Sequence, residues 1–175
     1  MPVTIQELVS KAGGGSAADI FLSVQTKRAG KVKGEAVTPG HEEDILVKAW
    51  HWGVSAGSAI GSVQATSRRS YTGLTVVKGI DSATTALMSA MVTNDEVKEA
   101  KLTMRRAGGE QVDYLLITLK GGRISQLEHR TDATGEALET VTVLFTKVEV
   151  EYRPQKATGL KGGSFVFNDE ILPAA

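Results

Sequence analysis

The chain has 175 residues, enough for a single domain at the usual ~100–200 residues per domain. It has no cysteine, which excludes a disulfide framework and thiolate chemistry. Twenty basic residues offset twenty acidic ones, so there is no global attraction for nucleic acid or an anionic membrane, while near-zero net charge favours self-association.

Residues 1–11 read either as a short amphipathic helix or as a segment without regular structure. Val3, Ile5, Leu8 and Val9 are interleaved with Gln6, Glu7, Ser10 and Lys11, which leaves no apolar core for a classical signal peptide. Residues 12–18, AGGGSAA, read as a flexible linker. Over residues 19–27, Ile20, Leu22 and Val24 alternate with Ser23, Gln25 and Lys27, the pattern of a half-buried strand. Residues 28–43 are polar and Gly-containing, a loop with a short strand near Val32. Residues 44–55, DILVKAWHWGVS, read as one strand with Ile45, Val47 and Ala49 on one face and Trp50, Trp52 and Val54 on the other. Apolar groups on both faces point to a packed barrel or a subunit interface. Residues 56–70, small and polar, are long for a turn, and loops of that length tend to carry function. Residues 71–78 form a strand. The period then changes: Ala83, Leu87, Ala90 and Met91 recur at helical spacing, with Asp81 or Ser82 as cap and Asn94-Asp95 as stop.

Residues 96–120, EVKEAKLTMRRAGGEQVDYLLITLK, predict a β-hairpin. Ala100, Leu102 and Met104 alternate with polar residues, as do Leu115, Ile117 and Leu119 with Tyr114, Leu116 and Thr118, around a hinge at Ala107-Gly108-Gly109. Gly121-Gly122 reads as a turn into residues 123–130, and residues 131–135 as another. Residues 139–152 read as the longest strand. Its apolar parity flips from Val141, Val143 and Phe145 to Val148, Val150 and Tyr152, which predicts a bulge or sharp bend at Thr146-Lys147. Residues 164–167 read as a short final strand. The sum is a mainly β, single-domain β-barrel of about six to eight antiparallel strands with one α-helix, closure being the economical way to protect strand edges. The apolar stretches fall short of the ~20 residues that cross a bilayer, so no membrane insertion is expected.

Catalytic patterns are not found. There is no G-x-S-x-G elbow, and Gly13-Gly14-Gly15-Ser16 lacks the Lys and the strand–helix context of a phosphate loop. His41, followed by Glu42-Glu43-Asp44, reads as a solvated loop rather than a cation site, His51 as a strand residue packed at a surface or interface rather than a base, and His129 as exposed. Glu149 and Glu151 share a strand face as a solvated or channel-facing stripe. The pairs Arg68-Arg69 and Arg105-Arg106 build no basic stripe, and two Trp, three Tyr and four Phe make no stacking platform for nucleic acid. Neither an enzyme, a metal site nor a cofactor is expected.

The hairpin wording, E-A-K-L-T-x-R-x-A-G from Glu99 and Y-x-x-x-T-L-K from Tyr114, resembles the haemolysin-coregulated protein (Hcp) family of type VI secretion. Lys33-Gly34-Glu35 with Gly40-His41, Trp50-His51-Trp52-Gly53, and Phe145 to Tyr152 followed by Arg153-Pro154-Gln155 resemble further family segments in the family's order. The likeness covers residues 19–163; residues 1–18 extend the usual start, and residues 164–175 form a C-terminal tail. The resemblance implies a β-barrel tube subunit that forms hexameric rings. The rings stack inside a contractile sheath under a spike protein, carry effector proteins in the channel, and leave the cytoplasm through that machine without a cleaved signal peptide. Phage tail-tube proteins are similar. Trp50, Trp52 and Tyr152 are the candidates for core or subunit interface, and Ala56, Ile60, Val63 and Arg68 for a ring-stacking loop. The alternative is a monomeric ligand-binding β-barrel, which needs an apolar or aromatic-lined pocket.

Overall fold

The computed structural model describes residues 18–57, 60–63, 69–106, 112–154 and 163–171. Through them run β1 (Ala18–Thr26), β2 (Gly30–Val32), β3 (Ile45–Leu46), β4 (Ala49–His51), β5 (Val54–Ala56), β6 (Arg69–Tyr71), β7 (Leu74–Gly79), α1 (Thr84–Val92), β8 (Val97–Arg106), β9 (Asp113–Thr131), β10 (Ala137–Leu144), β11 (Lys147–Tyr152) and β12 (Phe165–Glu170). The fold is mainly β with one helix among the described residues, as the sequence predicts.

The hairpin of residues 96–120 is the centre of the sheet. β8 pairs antiparallel with β9, setting Leu102 opposite Ile117 and Ala100 opposite Leu119, so the alternating apolar residues face one core. β1 pairs with β8 on the far side. The main path runs β2-β1-β8-β9-β10-β7-β4, with β11 bridging β9 to β12 and β3 on β1. The strands curl around Leu22, Val24, Leu74, Val76, Leu102, Ile117, Val141 and Val143. Helix α1 closes this core with Leu87 and Ala90. Each such fully buried aliphatic side chain contributes about 1.5–3 kcal/mol. Among the described residues the hydrogen-bonded path does not return on itself, so the curled sheet keeps edges there where the sequence reading expected full closure.

Three local readings change. Residues 44–55 are not one strand: β3 pairs with β1, β4 with β7, and β5 with β6. The chain steps between partners at Val47, whose N–H donates to Ile20 O, and Lys48, whose N–H donates to Val77 O. Gly121-Gly122 is a bend, not a turn: β9 continues for 19 residues, its first half pairing with β8 and β11 and its second with β10. Gly121 takes φ +61°, and a Cβ on Gly122 would lie 1.7 Å from the carbonyl oxygen of Leu144. Only glycine admits the crossing chain there. That crossing chain is the predicted parity flip. β10 ends at Leu144, residues 145–146 step across, and Thr146 N–H bonds Lys120 O before β11 begins. The strand of residues 139–152 is thus two strands, β10 on β7 and the second half of β9, and β11 on β12 and the first half of β9; β9 is the longest.

The helix starts one or two residues later than its predicted caps, Asp81 or Ser82, with Ala83 at the cap position. Asp81 Oδ1 accepts from Ala83 N–H at 2.9 Å, and Thr93 and Asn94 end it, Asn94 at φ +56°.

Candidate functional site

The described residues between Val54 and Tyr71 leave the core as an arm. Val54, Ser55 and Ala56 pair with Tyr71, Ser70 and Arg69, all three residues of β5 are exposed, and Ile60 and Val63 beyond them are fully exposed. Ala56, Ile60 and Val63 are all exposed. Arg68 lies outside the described residues.

The base of the arm is tied to the last strand. Tyr71 donates its hydroxyl to Asp169 Oδ2 at 2.7 Å. Arg69 donates from Nη2 to Asp169 Oδ1 at 2.8 Å and to Glu170 O at 3.1 Å, and from Nε to Asp169 Oδ2. The Arg69 guanidinium, then the Tyr71 hydroxyl, pull the Asp169 carboxyl down to about 2. Tyr71 also packs edge-on to Phe145 at 5.6 Å and beside Trp52 at 5.8 Å. Trp50, opposite Val76 on β4, and Trp52 are both half-buried against the core. Trp52, beside Tyr71, thus lies between core and arm, and Trp50 packs on the core from β4.

Tyr152 lies at the other flank, exposed, opposite Leu115 on β9 and Phe165 on β12, stacking on the Phe165 ring at 6.5 Å. β12 is the edge of this flank. Phe165, Val166 and Phe167 are 68%, 54% and 49% exposed, apolar side chains on both faces of one edge strand. Sequence reading finds this strand but not its exposure; the available signal was F-V-F, apolar at both parities, with only one strand left for it to pair with.

The histidine readings divide. His51 is exposed on β4. His41 is not a solvated loop residue: it is buried, flat on Phe21 with ring centroids 4.1 Å apart. Its Nδ1 lies 2.9 Å from Asp44 Oδ2 and its Nε2 3.1 Å from Asp113 Oδ2. Asp113 also accepts from Arg105 Nε at 2.7 Å, and despite burial that bond and the His41 contact hold its carboxyl below the usual range. This cluster pins the loop of residues 33–44 over the outer face of β1. His129, partly exposed, sits 3.1 Å from Glu139 Oε2. Behind it, fully buried Glu139 faces fully buried Lys78 at 3.4 Å, and Lys78 Nζ reaches Asp81 Oδ1 at 2.9 Å and Thr84 Oγ1 at 3.3 Å. Glu149 and Glu151 do turn away from Val148 and the core. Glu151 is held by Arg153 at 2.8 and 3.0 Å, which lowers its carboxyl. Among the described residues no cluster of His, Asp and Glu has the arrangement of a metal site, and no helix is long and apolar enough to cross a membrane.

Comparison with known proteins places this geometry. Residues 21–152 match the family described as "Type VI secretion system effector, Hcp". Protein hcp1 of Pseudomonas aeruginosa is 39% identical over 151 residues, spanning 84% of this chain and 90% of that protein. The crystal structure of Hcp1 from Salmonella typhimurium superposes with TM-score 0.69 at 27% identity, over 89% of this chain and 95% of that one. A type VI secretion effector from Yersinia pestis, at 21% identity over 87% of this chain and 100% of that one, shares the fold with TM-score 0.69.

Proposed function

The chain belongs to the Hcp family of type VI secretion, and from that premise we propose that it is the structural subunit of a secretion tube, closing into hexameric rings that stack. A ring is built by one face meeting a different face of the next copy, the contact closing by rotation, whereas stacking along the axis does not close and lets a tube grow. The observation that carries the reading is the arm of residues 54–71, whose Ile60 and Val63 are apolar, fully exposed and anchored at a rigid base. Exposed apolar side chains of that kind gain from burial against a neighbour. In this reading Ala56, Ile60, Val63 and Arg68 meet the adjacent ring. The open parts of Trp50, Trp52 and Tyr152 contribute to contacts within a ring, which together bury upwards of ~1,000 Å².

The interior of the curled sheet is filled by its own Leu, Ile and Val side chains. Cargo therefore belongs in the channel that a ring encloses rather than inside one subunit. Effector proteins in that channel, a spike on the tube's end and a contractile sheath around it are the partners this role requires. The unit that assembles is residues 19–163, with residues 1–18 and 164–175 as its extensions. Electron microscopy of the purified protein tests the proposal. End-on class averages with six-fold symmetry and a central channel are the expected result, and single particles the size of one chain contradict it.

A further inference from the structure

We propose that His41 is a proton-operated clasp. Its doubly protonated ring bridges Asp44, in the loop of residues 33–44, to Asp113 on β9, and loss of one proton releases that loop from the sheet. Both ring nitrogens are committed to carboxylates. Nδ1 lies 2.9 Å from Asp44 Oδ2, and Nε2 lies 3.2 and 3.1 Å from the two oxygens of Asp113. An ionised carboxylate only accepts, and a neutral imidazole has one N–H to give. A neutral ring would therefore set a lone pair against a carboxylate oxygen at hydrogen-bond distance, in a site where His41 is 7% exposed. Only the imidazolium satisfies both contacts.

The surrounding charges keep the proton on the ring rather than on an oxygen. Asp113 Oδ1 accepts from Arg105 Nε at 2.7 Å, and Lys31 Nζ stands 3.3 Å from Asp44 Oδ1. Each carboxylate thus has a second cation that favours its ionised form. Around the ring, Arg105 and Lys31 face Asp44, Asp113 and Glu42, so a protonated His41 balances the group and a neutral one leaves an excess anion. Asp19 on β1, opposite Arg105, adds a carboxylate that favours the cation, whereas Arg153, joined to Glu151 and within reach of Asp113, opposes it. Lys33 and Glu43 pair with each other at 3.2 Å. Beneath the ring, Phe21 is stacked at 4.1 Å, and an aromatic face attracts a cation.

The clasped loop is closed on itself. Gly34 N–H donates to Glu43 O, Ala36 N–H to Asp44 O and Glu43 N–H to Ala36 O. It is tied to the sheet through His41, through Arg105 Nη1 donating to Pro39 O at 3.0 Å, and at its base through Ser82 Oγ donating to Lys33 O at 2.9 Å. Deprotonation turns one end of the His41 bridge into a repulsion, and as the loop lifts it uncovers Phe21, which is 1% exposed beneath the ring. A proton held more tightly by the clasped ring adds stability that is present below the ~6.5 of a free imidazole and is lost as the pH rises through the point where the clasped ring titrates. At acid pH the clasp fails from the other side. Despite burial, the Arg105 bond and then the His41 contact hold the Asp113 carboxyl below the usual range, and protonating it removes the bridge. The clasp lies within one chain and does not rest on ring formation.

Nitrogen NMR of the full chain, labelled in its three histidines, tests the protonation state. His51→Gln and His129→Gln identify the His41 signals by elimination. At about pH 7.5, where a free imidazole is largely neutral, both His41 nitrogens are expected to carry protons, and a nitrogen without one overturns the proposal. Amide hydrogen exchange reads the release. Corrected for the intrinsic pH dependence of exchange, protection of the Gly34, Ala36 and Glu43 amides is expected to fall roughly ten-fold per pH unit between the free and clasped titration points, as one linked proton requires. The β10 amides are expected to hold. In His41→Gln the loop amides are expected to be fast and flat with pH, and if that variant does not fold the parent's own profile decides. Loop protection in the parent that is flat with pH overturns the release.

Discussion

Tyr71 and Asp169 stand 98 residues apart and are joined by a 2.7 Å hydrogen bond that fixes the base of the arm to the edge strand. Arg69 holds the same carboxylate, so both ends of the β6 strand that begins at Arg69 are tied to the last strand. An arm that meets a neighbour in one geometry, as proposed above, needs such an anchor.

Asp169 gives the anchor a pH limit. Its carboxyl is lowered from 3.8 to about 2 by Arg69 and then Tyr71. A folded value below the unfolded one means that the tie is complete above about pH 4 and is lost as the pH falls through 3.8 towards 2. A carboxyl titration by NMR is expected to place Asp169 well below the exposed carboxylates. Asp169→Asn is expected to speed amide exchange in β5 and β6 with little change in Tm, since the pair is solvent-screened. Titration of Asp169 in the ordinary range contradicts this.

Gly122→Ala is expected to be severe. Its Cβ would fall 1.7 Å from Leu144 O and 3.1 Å from Phe145 Cα, both backbone atoms that cannot rotate away. Overpacking of this kind costs about 3 kcal/mol or more, a fall in Tm of about 6–12 °C for a chain of this size. Gly135→Ala, at a site with open space but φ +86°, is expected to cost only about 1 kcal/mol. Thermal melts of the two variants check the order.

The buried Lys78–Glu139 pair is expected to be costly to break and cheap to replace. Lys78→Met leaves the Glu139 carboxylate buried with only His129 beside it, a loss of about 3–5 kcal/mol. Adding Glu139→Leu is expected to recover most of that loss. Denaturant unfolding of the single and double variants measures the difference, and a double variant no more stable than the single contradicts it.

Trp50→Glu is expected to cost about 2 kcal/mol, below the ~3–5 of a fully buried tryptophan truncation because the ring is only half-buried. It is also expected to lower the assembled mass. Unchanged melting and unchanged mass together would remove Trp50 from both core and interface.

Much of this architecture is legible in period-two patterns. Residues 19–26, 97–106 and 113–120 alternate because one face packs into the core while the other is largely polar, wet except where the loop of residues 33–44 covers Phe21 and Arg105, and the parity flip at Thr146-Lys147 reports the step from β10 to β11. Where partners change, the pattern fails. Residues 44–55 carry apolar groups on both faces because they touch β1, β7 and β6 in turn, and that reads as one continuous strand. Gly121-Gly122 has the composition of a turn, but its glycines serve a close chain crossing whose other side, Leu144 and Phe145, lies over twenty residues away in sequence. His41 looks solvated beside Glu42 and Glu43 because its partners Phe21 and Asp113 are distant. The arm was visible as a long polar loop; its anchor was not, since nothing local to Tyr71 announces Asp169.

The central claim is assembly, and the most direct test is the solution mass of the full chain by light scattering behind a sizing column across a concentration range. The account predicts six times the 18.5 kDa of one chain, with larger species growing in as concentration rises. A mass of one chain, unchanged over that range, would contradict it.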